Sequence, residues 1–186
     1  MLLSGYYLLL SAYSGQKDIT VGTVIANRDY EEISGMIGFF ANTLAMRQNV
    51  DDDIFEFIEH VGESAQTAQL NQDIPFDMLV EELGVEKDSS RHPVFQAAFS
   101  LQTIGSMLKN ESALFAHNEK EENIFDSKIA KFDLSLEMTD NGEEINGNLN
   151  YAVSLFERDT IKSYVETYQE IISQIAFSGE TNEVES

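Results

Sequence analysis

Residues 71–102 constrain the fold most, because they read as a short helix, a stop and a buried strand. Pro75 fits the first turn of a helix, where the backbone N–H that proline lacks is not needed, and Gly84 is the expected C-terminal stop. An apolar stripe at helical spacing lies between them, at Phe76, Leu79, Val80 and Leu83. Beyond Pro93, apolar residues alternate as in a strand, at Phe95, Ala97, Phe99 and Leu101. The segment therefore predicts a helix-to-strand unit.

The start of the chain is apolar and predicts a buried helix. Its stripe at helical spacing consists of Leu3, Tyr6, Tyr7 and Leu10. Gly15 is the expected end of this helix. The segment is too short to span a bilayer and no basic residue precedes Lys17, so a secretory signal peptide is the less favoured interpretation.

Two later segments also predict helices. Residues 54–69 carry an apolar stripe, and Asp53 with Glu56 three residues later forms a capping arrangement at its start. The acidic triplet that ends at Asp53 suits the positive end of a helix better than a metal site, because three adjacent aspartates cannot all face one ion without special geometry. Asp159 is the expected cap of the last helix, and Gly179 is its expected end.

Strand patterns alternate with these helices. Residues 19–28 are β-branched on both faces, which is typical of a strand buried on both sides. Residues 131–156 contain two alternating apolar runs around Asn141 and Gly142, the strongest short signal for a β-hairpin. Residues 103–130 are polar and predict a mostly exposed loop region. The order of these patterns predicts an α/β unit.

Composition excludes several classes of function. The 186 residues carry a net charge of −22, and such a surface repels phosphate groups, so neither nucleic acid nor an anionic membrane is an expected partner. The absence of cysteine excludes disulfides, thiolate metal sites and a cysteine nucleophile. Nothing in the sequence requires an oxidising compartment, so a cytoplasmic location is the expectation.

Asn42 is the polar residue that strand periodicity singles out. Alternation places it on the same face as Phe40, Leu44 and Met46. A polar amide among apolar neighbours has to find hydrogen-bond partners or costs about 1–3 kcal/mol. One hypothesis is a core asparagine satisfied by backbone groups, and the other is a residue that lines a tunnel.

Several stretches resemble the motifs of a known family. Residues 71–77 read NQDIPFD and residues 87–96 read KDSSRHPVFQ, which look like HQDxPFE and RDxSRxPLFQ of the condensation domains of nonribosomal peptide synthetases. Residues 21–28, VGTVIANR, are similar to the family's VVGTPVANR with valine in place of proline. Residues 37–47, IGFFANTLAMR, resemble IGFFVNTLxLR. The motifs occur in the family's order and spacing.

The resemblance extends over residues 8–176 but covers only the second half of the family's domain. A complete condensation domain resembles a pair of chloramphenicol acetyltransferase-like lobes with a channel between them, and its catalytic HHxxxDG motif lies in the first lobe. No such motif occurs in this sequence. The resemblance implies that residues 1–178 form the C-terminal lobe, with residues 179–186 as a frayed acidic tail. The implied fold is a two-layer α/β sandwich, with a mixed, largely antiparallel sheet and helices on one face.

The implied activity is peptide (amide) bond formation between aminoacyl or peptidyl thioesters on carrier proteins, for which this lobe supplies half of the substrate channel. No cofactor is expected to bind the lobe directly, because phosphopantetheine is presented by the carrier proteins. The implied partners are the first lobe, the peptidyl or aminoacyl carrier domains and an adjacent adenylation domain. An exposed lobe face also predicts self-association as a homodimer. The alternatives are an epimerisation-type domain and a non-catalytic interaction module.

The resemblance also assigns roles to individual residues. Asn42 matches an asparagine near the family's reaction channel and is the substrate-channel candidate. The motif residues expected to be architectural are Arg47, Asp73, Pro75, Phe76, Arg91 and Pro93. The sequence departs from the family at Asp77, where glutamate is usual, and at Asn71, where histidine is frequent. The second departure weakens any role of this position in proton chemistry.

No catalytic residue and no metal ligand is predicted in this chain. An amide-forming reaction needs a group that accepts or stabilises the proton of the attacking amine, and a positioned histidine suits that task at neutral pH. The three histidines, His60, His92 and His117, are isolated from one another in the sequence. A structural or surface role is therefore expected for each, and the chain alone is expected to be inactive.

Overall fold

The computed structural model describes residues 1–26, 36–38, 40–85, 91–103 and 131–183, with side chains as far as Ser178. The described part contains four helices and five strands. They are α1 (Leu2–Ser14), β1 (Asp18–Ile25), β2 (Asn42–Asn49), α2 (Ile54–Leu70), α3 (Phe76–Glu82), β3 (Ala97–Thr103), β4 (Leu134–Asp140), β5 (Ile145–Tyr151) and α4 (Arg158–Glu183). His117 and most of the predicted loop region 103–130 lie outside the described residues.

The strands form one five-stranded mixed sheet in the order β2-β1-β3-β4-β5. The outer pairs, β1 with β2 and β4 with β5, are antiparallel, whereas β3 runs parallel to both of its neighbours. The predicted α/β class with a mixed sheet is therefore confirmed. In this order β2 and β5 are the edges of the sheet.

Three helices cover one face of the sheet and enclose the core. Along β1 the buried side chains of Ile19 and Val21 point to this face, as do Leu134 and Leu136 on β4. Helix α1 contributes residues that are almost fully shielded from solvent, namely Tyr6, Tyr7 and Leu9. The buried residues of α2 and α4 in the same core are Phe57, Val61, Ile161 and Tyr168. The predicted layer of helices on one face is present.

The opposite face of the sheet carries an aromatic cluster. Val21 faces the helices, so its neighbour Gly22 faces away from them. A Cβ atom built on Gly22 would lie 1.9 Å from the ring of Phe95, which is 1% exposed. Phe76, at the start of α3, lies against Phe95 with ring centroids 5.8 Å apart. The predicted helix-to-strand unit therefore brings α3 to the face that the other three helices leave free.

Most predicted ends of elements are found where the sequence places them. Gly15 closes α1 in the left-handed conformation at φ 69°, and Asp53 caps α2 by accepting from the backbone N–H groups of Phe55 and Glu56. The hairpin turns at Gly142 with φ 85°. The last helix differs from the prediction. It begins at Arg158 and continues past the expected stop at residue 179 to Glu183.

Two buried tyrosines on α1 provide a matched test of the core. Tyr7 donates its hydroxyl to the carbonyl of Met46 at 2.7 Å, whereas the hydroxyl of Tyr6 is buried without a hydrogen-bond partner among the described residues. Tyr7→Phe is expected to lower the free energy of unfolding by about 1 kcal/mol, because it removes a satisfied hydrogen bond. Tyr6→Phe is expected to leave it unchanged or to raise it, because no hydrogen bond is lost. Urea denaturation of both variants measures the difference, and equal destabilisation would contradict this assignment.

Candidate functional site

Asn42 is the first residue of β2, and its side chain fastens the 71–77 motif loop to the sheet. The Nδ2 atom donates to the carbonyl of Gln72 at 2.7 Å and to that of Ile74 at 2.8 Å. The Oδ1 atom accepts from the backbone N–H of Thr43 at 2.8 Å and from that of Phe76 at 3.3 Å. Both donors and the acceptor oxygen of the amide are therefore engaged by backbone groups.

This arrangement supports the first of the two hypotheses about Asn42. A carboxamide whose donors are both used has no N–H left to offer a substrate. Its role in the structure is to position the loop and the first turn of α3, because the bond to Phe76 reaches the residue that opens this helix. Its place in a substrate channel stays a prediction, and any effect on substrate would pass through the loop it holds.

The remaining motif residues lie in three different settings. Arg47 and Asp18 form an exposed ion pair at the strand end, with Nε donating to Oδ1 at 2.7 Å and a second contact through Nη2. This pair lowers the pKa of the Asp18 carboxyl and raises the pKa of the Arg47 guanidinium. Asp73 and Arg91 are exposed, while Pro93 is half-buried. Pro75, predicted in the first turn, stands one residue earlier, at the N-cap of α3.

His92 is packed into the aromatic cluster. Its ring centroid lies 4.1 Å from that of Phe95, 5.1 Å from that of Phe76 and 5.3 Å from that of Phe132. The Nδ1 atom is shielded from solvent and makes no hydrogen bond of normal geometry with a described residue. Burial lowers the pKa of the imidazole, and the backbone of Phe95 opposes part of this shift. His92 therefore has a structural role in the motif turn.

The lowered pKa of His92 predicts a pH-dependent stability. The unfolded chain binds the proton more readily than the folded chain, so stability present above the ordinary pKa of 6.5 is lost as the pH falls through the lower folded pKa. Between pH 7.5 and pH 5, His92→Phe is expected to lose less stability than the wild type, because it cannot be protonated. Identical profiles for the wild type and His92→Phe would contradict the prediction.

His60, the other histidine in the described part of the chain, lies outside this aromatic cluster. The side chain of His60 is 52% exposed and lies 4.0 Å from the carboxylate of Glu56 on the same helix. No group of three or more potential metal ligands is assembled within the described ranges. In the part of the chain that the structure covers, no helix is long and apolar enough to cross a membrane.

Large apolar side chains are exposed on and around α3. Leu83 was predicted on the buried stripe of this helix, but it is 56% exposed, whereas Val80 is buried. The further exposed apolar residues of this segment are Leu70, Ile74 and Met78. The periodicity of the sequence did not predict this exposed surface. It predicts which residues form the buried stripe of a helix, and in a short helix that stripe is narrow. Exposed apolar residues this close together are typical of a contact surface.

A family comparison assigns the fold and the motif loop to a class of protein. The family model described as "Condensation domain" matches residues 1–185. The chain therefore belongs to the condensation domain family. The resemblance of the sequence motifs is thereby confirmed.

Curated relatives in this family are synthases of peptide natural products. The chain is 39% identical over 181 residues to N-(5-amino-5-carboxypentanoyl)-L-cysteinyl-D-valine synthase of Amycolatopsis lactamdurans, covering 95% of this chain and 5% of the relative. It is 41% identical over 165 residues to bacitracin synthase 3 of Bacillus licheniformis, covering 87% of this chain and 2% of the relative. The chain thus spans a small fraction of the relatives it matches.

Solved structures share the fold. A four-domain nonribosomal peptide synthetase bound to AMP and glycine superposes with a TM-score of 0.83 at 24% identity, over 94% of this chain and 14% of that chain. The condensation domain of a monacolin K polyketide synthase superposes with a TM-score of 0.74 at 23% identity, over 95% of this chain and 40% of that chain. The chain therefore spans less than half of that condensation domain structure.

Proposed function

We propose that this chain is the C-terminal lobe of a condensation domain and that, together with a first lobe, it forms peptide bonds between thioesters held on carrier proteins. The observation that carries the proposal is the family match over residues 1–185. The fixed loop at Asn42 supports it, because four hydrogen bonds hold a family motif in one position on the sheet. A loop that is held in one position can form part of the wall of a substrate channel and help to orient the substrate.

The chemistry divides between the two lobes. Amide formation requires that the proton of the attacking amine be accepted or stabilised and that the oxyanion of the thioester carbonyl be held. The chain lacks HHxxxDG, and within the described ranges His60 is exposed while His92 is enclosed by phenylalanine rings. This lobe therefore supplies walls and positioning, and the proton chemistry belongs to the first lobe.

The proposal implies partners for the exposed surfaces. The first lobe, the carrier domains with their phosphopantetheine arms and an adjacent adenylation domain are the proposed partners, in the cytoplasm. The exposed apolar residues of the α3 segment support a packed assembly, because such side chains are favourable only where another surface covers them. Self-association as a homodimer is the alternative use of the same exposed surface.

Amide formation by purified components tests the proposal. Donor and acceptor aminoacyl thioesters on phosphopantetheinylated carriers are incubated with this chain, with a first lobe from a matching condensation domain, or with both, and products are read by mass spectrometry. The chain alone is expected to give no product above the uncatalysed rate. The two lobes together are expected to raise the rate about a hundredfold or more, the range of general acid–base catalysis. Turnover by this chain alone would contradict the division of roles.

A further inference from the structure

The outer edge of β2 presents backbone groups that no described residue uses. Val50, directly after β2, donates its backbone N–H to the carbonyl oxygen of Lys17, directly before β1. Hydrogen bonding to the neighbouring strand alternates along an antiparallel pair, so every second residue of β2 before Val50 also directs its backbone N–H and C=O groups toward β1. The groups of Asn49, Arg47 and Ala45 turn outward. Because β2 ends the sheet, these alternate N–H and C=O groups form a row along a strand of eight residues. Such a row is a template for another strand.

Helix α2 runs beside this edge and makes it one wall of a groove. The groove has a volume of about 580 Å³ and is lined by Ala45, Arg47, Gln48, Glu63, Ser64 and Thr67, among others. The Nε2 atom of Gln48 donates to the carbonyl of His60 at 3.4 Å, which links the strand to the helix at one end. The small side chain of Ser64 on α2 leaves room for the side chains of an added strand.

The helix that forms one wall of the groove is acidic, and its Glu63 is the carboxylate that lines the groove itself. Helix α2 contains Glu56, Glu59 and Glu63 but neither lysine nor arginine. Arg47 is the cation on the strand side, and its charge is matched by the carboxylate of Asp18. An occupant that brings lysine or arginine to the groove would therefore meet an acidic wall without a competing free cation among the residues that line it.

We propose that this groove binds an extended, basic segment of a partner polypeptide, which adds as a further strand to the edge of β2. Backbone hydrogen bonds to Ala45 and Arg47 supply the pairing, and alternate side chains of the segment enter the space beside α2. The groove reaches the motif loop at Asn71, the first residue of that loop, but binding there does not depend on amide formation. The pairing is assigned to β2 because this edge of the sheet forms one wall of the groove beside α2.

Binding of a short synthetic peptide to the 186-residue chain tests the proposal. The probe is a fluorescein-labelled basic peptide of the sequence KTVRVTK, measured by anisotropy at physiological salt. Two control peptides accompany it. One has glutamate at each basic position, and the other is N-methylated at the central backbone positions so that it cannot donate to a strand. The basic peptide is expected to bind, and each control is expected to bind about tenfold more weakly or not at all.

Three protein variants locate the binding. Ala45→Pro removes the backbone N–H of residue 45, which points away from β1. The hydrogen bonds between β1 and β2 are therefore retained, while the outer edge of β2 loses one hydrogen-bond donor. This variant and Glu63→Lys are each expected to weaken binding about tenfold. The matched control is Glu143→Lys, which makes the same charge change at an exposed turn residue before β5, at the opposite edge of the sheet, and should change binding less than twofold.

The proposal can be tested even if one of the variants does not fold. If circular dichroism shows that Ala45→Pro is misfolded, the N-methylated peptide on the wild-type chain tests the same backbone pairing. Absence of binding by the basic peptide at millimolar concentration would overturn the proposal. Equal binding of the basic and acidic peptides, or equal weakening by Glu63→Lys and Glu143→Lys, would also overturn it. A loss of amide formation in the two-lobe assay would leave it unaffected, because no step of this test uses that activity.

Discussion

Gly22→Ala is expected to destabilise the protein by about 3 kcal/mol or more, the upper range for overpacking a core. The added methyl group would lie 1.9 Å from two ring carbons of Phe95. That ring cannot move away easily, because His92, Phe132 and Phe76 surround it at centroid distances of 4.1 to 5.8 Å. The expected response is a displaced Phe95 and a weakened junction between β1 and β3. Denaturant unfolding monitored by circular dichroism measures the loss.

Gly62→Ala is the matched control for this prediction. Gly62 lies inside α2, and a Cβ atom added there meets no atom within 4 Å. Alanine in an open helix position is expected to stabilise the protein by about 0.5–1 kcal/mol, because glycine loses more backbone entropy on folding. The two identical substitutions should therefore shift the unfolding midpoint in opposite directions. A Gly22→Ala variant as stable as the wild type would show that the aromatic cluster is not packed as described.

Asn42→Ala is expected to lower the free energy of unfolding by about 2–4 kcal/mol, because it removes several half-buried hydrogen bonds at once. The bonds to Gln72, Ile74 and Phe76 tie the motif loop and the start of α3 to β2. The loop should therefore become more dynamic than the rest of the sheet. Hydrogen exchange is expected to show the greatest gain at residues 72–80, and the two-lobe assay should lose product formation in parallel.

Asn71→Ala provides the control for Asn42→Ala. Asn71 is an exposed neighbour on the same loop, and its side chain donates one hydrogen bond, to the carbonyl of Thr67 at 2.8 Å. Its loss is expected to cost about 0.5 kcal/mol, since water replaces an exposed hydrogen bond readily. Equal effects of the two substitutions, or fast exchange spread evenly over the chain, would mean that Asn42 does not position the loop.

Local sequence signals predicted the elements that depend on local chemistry. The hairpin at Gly142 needs a residue that accepts a positive φ, and the cap at Asp53 needs a carboxylate at one position before a helix. The strand at β1 could also be predicted, but the expected burial on both faces holds only in its middle, at Val21 and Gly22, whereas Val24 near its end is 54% exposed. Each of these features is determined within a few residues of the chain.

Features that depend on distant residues could not be predicted. Three of the four hydrogen-bond partners of Asn42 lie 30 to 34 positions later in the chain, so the sequence left its two hypotheses open. The rings around His92 come from three segments, including Phe132, and no periodicity joins them. The groove beside β2 depends on the order of strands, which places β2 at the edge. The prediction that the last helix ends at residue 179 was wrong, because glycine also occurs inside helices at a modest cost in stability.

The most direct test of the proposed function is the association of this chain with a first lobe that carries HHxxxDG. Sedimentation velocity of the chain, of the first lobe and of their mixture gives the three masses in one experiment. The account predicts a 1:1 complex in the mixture, formed at the expense of any homodimer of this chain. Two lobes that sediment independently at concentrations of tens of micromolar, or a homodimer that does not exchange with the first lobe, would contradict it.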